Sequence, residues 1–317
     1  MNSLGVEEDG RKQCPVCLET LSHSFVFVEE WYGYTIWHCS HCDIVFSVPM
    51  KHPGKEFYNG EVDEFFKRVY QSRDIGIFSI GPNHKWAVKN LPIRSGSLLD
   101  IGCGNGSFML YAKKRGFDTW GVDLSEKAVE AGKRYLGINN IFACSLERFG
   151  KEICPGVKFD AITFFEVLEH MDDPNSFVEA VKAFIKPGGF IALSVPNRER
   201  PLPNILMPKA GDSPPHHFTR WSKKALINFL ERHGFEPIKV STVPVSTAAG
   251  AIMDYFLGTE KVSAGVARAA SNESLSGPVR LVFYVIKTLC HAMLKTLDIF
   301  LYPLHRKVCL VVIARVD

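Results

Sequence analysis

The feature that most constrains the fold of this chain is a regular alternation of short apolar runs and amphipathic segments that begins at Ser95. The runs SLLDIG, TWGVDLS, NIFACS, FDAITFFEV and FIALSVPN have the composition of strands, and helical segments such as SEKAVEAGKRYLG lie between them. Strands that alternate with helices form a parallel sheet that is covered on both faces. The sequence therefore predicts an α/β fold of the doubly wound class.

Two segments around the FIALSVPN strand can be delimited from local signals. The helix before it is predicted to have Asp173 as its N-cap and Pro174 at its first position, and to continue through Ile185 until Pro187-Gly188-Gly189 stops it. After the strand, residues 198–222 contain five prolines, so we expect no regular element there. A long loop at the carboxyl end of a strand usually serves as a lid or binding loop.

Patterning divides the chain into five parts, which we predict as separate units of organisation. They are a cysteine-rich ribbon over residues 1–50, a helical linker or lid over 51–94, the α/β core over 95–244, a helical insertion over 245–306 and a last core strand over 307–317.

Composition narrows the classes of function. Of the 317 residues, 46% are hydrophobic and 22% are charged, which supports a buried core. A net charge of +3 is small for a surface that binds many phosphates, so nucleic acid is an unfavoured partner. The N-terminal stretch MNSLGVEEDGRKQC lacks the apolar core of a secretory signal, so we expect a cytoplasmic location.

Four of the nine cysteines form two C-x2-C pairs, Cys14 with Cys17 and Cys39 with Cys42. This spacing lets two tight turns each offer two thiolates to a tetrahedral ion, and a hairpin turning near Gly33 fits between them. Four thiolates close the coordination sphere of Zn²⁺ and leave no position for water. We therefore predict a structural zinc ribbon and prefer it to a catalytic zinc or a disulfide pair.

A glycine-rich turn follows the first core strand in LLDIGCGNGSF. Asp100 ends the strand, and Gly102 and Gly104 allow the backbone to approach a ligand closely. Asp123 ends the next strand, where a carboxylate can accept both hydroxyls of a ribose. The turn alone is a weak signal that many nucleotide sites share.

Several ordered blocks make the signal specific. The turn, the GVDLS strand, the E-V-L-E-H block and the K-P-G-G block occur in the order found in class I S-adenosylmethionine-dependent methyltransferases, which this sequence resembles over residues 95–242 and the last strand. The resemblance implies a Rossmann-like fold and S-adenosylmethionine as cofactor. It also assigns a set of cofactor contacts: Asp100, Gly102 and Gly104 toward the methionine part, Asp123 toward the ribose, Ser145 and Leu146 toward the adenine, and Leu124 and Phe165 elsewhere in the pocket. Ser145 stands where the family often has an aspartate, which changes the expected adenine contact.

Candidate catalytic residues follow the fourth core strand, at the sheet edge where such folds bind ligands. His170 is a candidate general base, because its ordinary pKa lies near neutral pH. Glu166, Glu169 and His170, joined by His216 or His217, could instead hold a divalent ion against a substrate oxygen. E-x-x-E-H resembles the arrangement in ubiquinone-pathway O-methyltransferases and small-RNA 2′-O-methyltransferases. Because the string is also common in relatives that need no metal, the sequence favours the base over this second ion.

Two further features lie outside these blocks. Tyr58 could line the pocket as an aromatic wall or an acid/base group, or could pack in the linker. The apolar segment 279–302 carries a basic stripe formed by Arg280, Lys287, His291 and Lys295. Three interpretations stay open for it: packing on the fold, a homodimer interface, or a peripheral membrane contact.

The whole chain resembles zinc-ribbon-bearing methyltransferases of sugar, polyketide or cell-surface biosynthesis. We therefore expect a methyltransferase that acts on a small biosynthetic metabolite, such as a sugar nucleotide or a lipid-linked intermediate. The alternatives are the metal-assisted O-methyltransferase and a ribbon that recruits a protein or RNA to be methylated. Residues 14–50 contain no Lys or Arg, which disfavours a ribbon that grips phosphates.

Overall fold

The computed structural model describes residues 13–19, 24–51, 80–201, 212–244 and 307–316. Eleven strands in these residues are β1 Phe25–Trp31, β2 Tyr34–Cys39, β3 Ile44–Val48, β4 Gly96–Ile101, β5 Phe117–Asp123, β6 Ile141–Ala143, β7 Phe159–Phe165, β8 Ile185–Pro196, β9 Thr219–Arg220, β10 Phe235–Val243 and β11 Cys309–Val316. The helices of seven or more residues are α1 Pro82–Asn90, α2 Ser107–Lys113, α3 Glu126–Leu136, α4 Pro174–Ala183 and α5 Lys223–Arg232. Shorter helical turns occupy Leu146–Arg148, Phe149–Ile153 and Leu168–His170.

Seven strands form the central sheet in the order β10-β11-β8-β7-β4-β5-β6. The five strands from β8 to β6 run parallel, and β11 is antiparallel to both of its neighbours. This arrangement confirms the predicted doubly wound α/β class. Because the parallel strands share one direction, their carboxyl ends lie together at one edge of the sheet.

The boundary between α4 and β8 corrects one prediction. Asp173 caps α4 as expected, its carboxylate accepting a hydrogen bond from the amide of Ser176 at 3.0 Å. The helix ends at Ala183, however, and Ile185 already pairs with Phe159 at the start of β8. The Lys-Pro-Gly-Gly stretch lies within the strand, where the register shifts, because an irregularity can absorb extra residues without ending the ladder.

The N-terminal module, which we define as the described residues between 13 and 51, is a small antiparallel sheet. The β1–β2 hairpin turns at Tyr32 and Gly33 as predicted, since Trp31 pairs with Tyr34. The sheet has the order β1-β2-β3-β9, so its fourth strand comes from the proline-rich segment after β8. That segment was predicted to be wholly irregular. The prediction was wrong at Thr219–Arg220, because β3 offers a free edge that pairs with these two residues.

The N-terminal module and the central sheet share one hydrophobic core. Cys14, Val16 and Phe46 of the module belong to the same buried cluster as Trp221 and Phe229. The Trp221 side chain is fully buried. Such burial of aromatic groups contributes several kcal/mol, of the order of 3–5 for one large side chain. The module is therefore packed as part of the molecule rather than as a tethered appendage.

Several predicted features lie outside the described residues. These are Tyr58, most of the 51–94 linker and the segment 245–306 with its basic stripe, so the predictions for them stand as made. Within the residues that the structure does describe, every helix is too short or too polar to cross a bilayer.

Candidate active site

The glycine-rich turn lies at the carboxyl edge of the sheet, between β4 and α2. Gly102, Gly104 and Gly106 have φ angles of 71°, 56° and 78°, a left-handed conformation that residues with side chains rarely adopt. A Cβ on Gly102 would also stand 2.5 Å from the side chain of Val167. At Gly104 the same position faces open space, with no atom within 4 Å among the described residues. The turn thus presents bare backbone to a space that a ligand can occupy.

Asp123 organises this turn from the end of β5. One carboxylate oxygen accepts the amide of Gly104 at 2.7 Å, and the other accepts the amide of Ser125 at 2.8 Å. The carboxylate is half-buried, so part of it faces the space above the sheet. This position fits an acid that binds the hydroxyls of a nucleoside ribose, as the sequence predicts.

Asp100 lies beneath the turn and is almost fully buried. The hydroxyl of Thr163 on β7 donates to its carboxylate at 2.6 Å. Burial, together with the charge of Asp123, raises the pKa of Asp100 to about 7, although the Thr163 hydrogen bond opposes the shift. A cationic ligand above the turn would favour the charged carboxylate, and S-adenosylmethionine carries such a charge on its sulfonium.

This burial predicts a pH effect on the cofactor-free protein. Asp100 has a pKa of about 7 in the fold and an ordinary value of 3.8, so between these values the folded state binds more protons than the unfolded chain. The free energy of unfolding should therefore fall as pH rises through this window. In Asp100→Asn the free energy of unfolding should fall less between about pH 4 and about pH 8, because the contribution of Asp100 is gone. Urea unfolding at the two pH values will measure the difference. Equal pH dependence in the two proteins would contradict the assignment.

The remaining predicted cofactor contacts border the same edge. Leu124 is half-buried after β5, and Leu146 is buried after β6. The Ser145 hydroxyl accepts the amide of Arg148 at 3.2 Å and so caps the short helical turn. Phe165 packs against His84 and Phe108, with ring centroids 4.7 and 5.0 Å apart. The structure brings these residues around one space, but the cofactor contacts themselves stay predictions.

A second cluster lies beside this space, on the turn that follows β7. Glu169 is fully buried, and neither of its carboxylate oxygens has a hydrogen-bond partner among the described residues. Burial and the neighbouring carboxylates of Glu166 and Asp212 raise the pKa of Glu169 well above its ordinary value. A buried carboxylate without partners is costly, so the site is built for a proton or a cation at this point.

Two histidines on this side of the cluster have their ring orientation set by other groups, and one of them, His217, approaches Glu169. Nδ1 of His170 lies 2.6 Å from the backbone oxygen of His216, and a carbonyl can only accept, so Nδ1 carries the proton. Nδ1 of His217 lies 3.2 Å from a carboxylate oxygen of Asp212, which fixes the proton there in the same way. Nε2 of His217 then faces Glu169 across 3.9 Å with its lone pair. On each imidazole Nε2 is therefore the nitrogen without the proton.

Asp212 and Arg200 support this cluster and were not found from the sequence. Although burial opposes it, His217 and Arg200 hold the pKa of Asp212 below its ordinary value. The Arg200 guanidinium donates to Asp212 and is itself buried. A carboxylate that receives the second nitrogen of a histidine is a common support for a metal ligand. Asp212 stands five residues before His217 in an irregular segment, so no periodic pattern marks it.

Glu166 completes the carboxylate pair. Its φ of 55° is left-handed, a conformation that costs about 1–2 kcal/mol for a residue with a side chain and that is concentrated at functional sites. Its Oε1 atom accepts the hydroxyl of Ser194 at 2.7 Å and the thiol of Cys309 at 3.1 Å. Both bonds go to the same oxygen, and the Glu166 carboxylate also lies close enough to Glu169 to raise the pKa of that buried group. Ring nitrogens of His170, His216 and His217 lie nearby, within 4.8 Å of one another, and imidazoles and carboxylates are both ligand types that divalent ions such as Mn²⁺ accept.

The four paired cysteines converge as the sequence predicts. Their sulfur atoms all lie within 4.8 Å of one another, with Cys14 and Cys42 at 3.6 Å and Cys17 and Cys39 at 3.9 Å. Zn–S bonds of about 2.3 Å in a tetrahedron require sulfur separations of about 3.8 Å. The hydrogen bond between Cys14 and Cys42 raises the pKa of the first thiol and lowers that of the second. The cluster therefore fits a tetrahedral zinc ion.

Comparisons with known proteins agree with this geometry. A family model described as a methyltransferase domain matches residues 83–240. The ubiquinone biosynthesis O-methyltransferases of Chromobacterium violaceum and Dechloromonas aromatica are each 34% identical, over 35% and 36% of this chain and 48% and 50% of their own lengths. This chain thus spans about half the length of the curated relatives it matches.

A solved structure shows the same fold. The 1,6-didemethyltoxoflavin-N1-methyltransferase of Burkholderia thailandensis, solved with bound 1,6-didemethyltoxoflavin and S-adenosylhomocysteine, is 16% identical with a TM-score of 0.50. The similarity covers 93% of this chain and all of that protein. At this identity it bears on the fold alone.

Proposed function

Because residues 83–240 form a class I S-adenosylmethionine-dependent methyltransferase domain, we propose that this protein methylates an oxygen of a small biosynthetic metabolite that is held against a divalent cation. The proposal develops the metal-assisted alternative from the sequence. The observation that carries it is the buried Glu169 carboxylate, whose two oxygens have no hydrogen-bond partner in the described part of the chain. Names of the relatives as O-methyltransferases support oxygen as the acceptor.

The cofactor supplies an activated methyl group on a sulfonium centre. Asp123 and the bare backbone of Gly104 would bind its nucleoside end, and Asp100 would balance its positive charge. Glu166, Glu169, His170 and His217 would hold the cation. A cation in this place would lower the pKa of a substrate hydroxyl, so that less basicity would be needed from a side chain.

A second candidate keeps the same reaction but uses His170 as the general base. Its Nε2 lone pair, set by the Nδ1 contact with the His216 carbonyl, supports that role. From the sequence we also propose that the substrate is a sugar nucleotide or a lipid-linked intermediate. A membrane or dimer contact through residues 279–302 is proposed on the same basis. Structural zinc in the N-terminal module is proposed on the sulfur geometry.

Metal binding tests the proposal directly. Wild-type protein titrated with Mn²⁺ should show one site by electron paramagnetic resonance, beyond the zinc found by elemental analysis. Glu169→Gln should weaken Mn²⁺ binding by at least about 100-fold, because it removes the buried anionic ligand. Glu152→Gln is the matched control, since Glu152 lies on the surface in an ion pair with Arg148.

Two outcomes would decide against the cation. Equal Mn²⁺ affinity in wild type and Glu169→Gln would place any bound ion elsewhere. Methyl transfer that proceeds in metal-free buffer and fails in His170→Gln would favour the general base. Metal should be removed by dialysis against a weak chelator, so that the zinc of the N-terminal module stays in place.

A further inference from the structure

The loop that carries His217 is hydrogen-bonded to the N-terminal module. Strand β3 pairs with β9, with Val45 opposite Arg220 and Phe46 opposite Thr219. Phe218 immediately precedes β9, and its carbonyl accepts hydrogen bonds from the backbone amide of Ser47 at 2.9 Å and from the Ser47 hydroxyl at 3.3 Å. The module therefore supplies the strand edge on which residues 218–220 are ordered.

The backbone of Phe218 also contacts the turn that carries Glu169, one of the proposed cation ligands. The amide of Phe218 donates to the backbone carbonyl of Glu169 at 2.8 Å. Phe218 thus lies between the module on one side and the turn carrying Glu169 on the other. His217 is the adjacent residue, so a shift of Phe218 would move its imidazole relative to Glu169.

Side-chain contacts also join the N-terminal module to the chain on either side of the His217 loop. Arg220 lies 3.5 Å from the carboxylate of Glu29 on β1. Asp43, just before β3, pairs with Arg198 at 2.7 Å, and its backbone carbonyl accepts the hydroxyl of Ser222 at 3.3 Å. The module is therefore tied to the segment before the loop and to the segment after it.

The loop itself has little regular structure to fix a side chain. Residues 212–218 include Pro214 and Pro215, which lack amide donors, and β9 has only two residues. A ligand held within about 0.5 Å of a productive position needs a rigid support. Asp212 and Arg220 hold the loop from within, and in the described residues it is also hydrogen-bonded to β3 on one side and to the Glu169 turn on the other.

We propose that the N-terminal module is a structural part of the active site, and that strand β3 positions His217 against Glu169 through the Ser47–Phe218 hydrogen bond. The proposal rests on the proposed cation site for its functional consequence. Ser47 is in this sense a positioning residue. The four cysteines then serve the reaction indirectly, because they hold together the sheet that carries β3.

A single substitution can break this connection and leave the module intact. Ser47 pairs with Ile36 of β2, yet its amide points to Phe218 on the opposite side. Ser47→Pro therefore removes the donor to Phe218 while every β2–β3 hydrogen bond keeps its donor. Ser47→Ala is the matched control, because it loses only the longer hydroxyl contact.

Three measurements on the full chain test the proposal. Zinc content and adenosylmethionine affinity should be the same in wild type, Ser47→Ala and Ser47→Pro. In Ser47→Pro, amide hydrogen exchange in peptides covering residues 213–221 should be faster, and Mn²⁺ affinity should fall by about tenfold or more. Ser47→Ala should behave as wild type in both.

The outcomes separate this proposal from the proposed function. If Ser47→Pro retains zinc and shows wild-type exchange in residues 213–221, β3 does not position the loop and the proposal is wrong. Wild-type Mn²⁺ affinity in Ser47→Pro, despite faster exchange, would equally overturn it. Failure of the wild type itself to bind Mn²⁺ would instead refute the cation site, and the exchange data would still decide whether β3 orders the loop.

Discussion

Asp123→Ala is expected to reduce the affinity for S-adenosylmethionine by at least about 100-fold. The carboxylate is the acceptor for two backbone amides, those of Gly104 and Ser125, and it faces the space above the glycine turn. Its loss would remove the charged partner that we predict for the ribose and would leave two amides to reorganise, at about 1–3 kcal/mol for each unpaired group. Calorimetric titration with the cofactor will measure the change.

Asp118→Ala is the control for this experiment. Asp118 lies on the same strand, but it is exposed and its carboxylate contacts the indole of Trp120 at 3.4 Å. Affinity should be unchanged in this variant, since the surface contact is weak. If Asp123→Ala binds the cofactor as tightly as Asp118→Ala does, the cofactor site lies elsewhere.

The second large effect concerns the four cysteines. We expect about one zinc ion per chain, and we expect Cys39→Ser to lose it. In small zinc-binding domains the ion contributes about 10–16 kcal/mol of apparent binding free energy, which is available only to the folded state. The module should therefore lose its β1–β2–β3 structure, as followed by amide exchange in residues 25–48.

In Cys39→Ser the central sheet should stay folded but should be less stable. The central sheet has its own buried strands, so cofactor binding should survive in Cys39→Ser. The thermal midpoint should fall, because Cys14, Val16 and Phe46 share a core with Trp221. Cys154→Ser, at a buried cysteine outside the cluster, should keep its zinc. Protein that purifies folded and free of zinc would contradict the assignment.

The fold class and the glycine-rich turn could be predicted because their signals are local. Strand, glycine turn and helix follow one another within a few residues, so Asp100, Gly102 and Gly104 occupy positions that the backbone pattern alone indicates. Two C-x2-C pairs likewise specify four thiolates through short turns. The Asp173 cap was predicted for the same reason, because a cap and its amide partner are three residues apart.

The less accurate predictions fall where long-range pairing overrides a local signal. Proline and glycine after Lys186 indicate a helix stop and a turn, yet Ile185 pairs with Phe159 at the edge of β7 and so belongs to β8. The prolines of residues 198–222 indicate a loop, yet β3 pairs with Thr219 and Arg220. In both places a strand edge elsewhere in the molecule provides hydrogen bonds that the local sequence does not encode.

By itself, then, the sequence determined the α/β sheet, the glycine-rich turn and the thiolate cluster, since each depends on residues close together in the chain. The sequence also joined Glu169 to His216 or His217 as a candidate cluster, but only the tertiary structure decided that Asp212 orients His217 and that the module's β3 edge pairs with this loop. Ser47 and Phe218 are 171 residues apart, and such a contact leaves no periodicity or spacing in either segment. It forms because burying the shared core brings two unpaired strand edges together, and their backbone groups must then find partners.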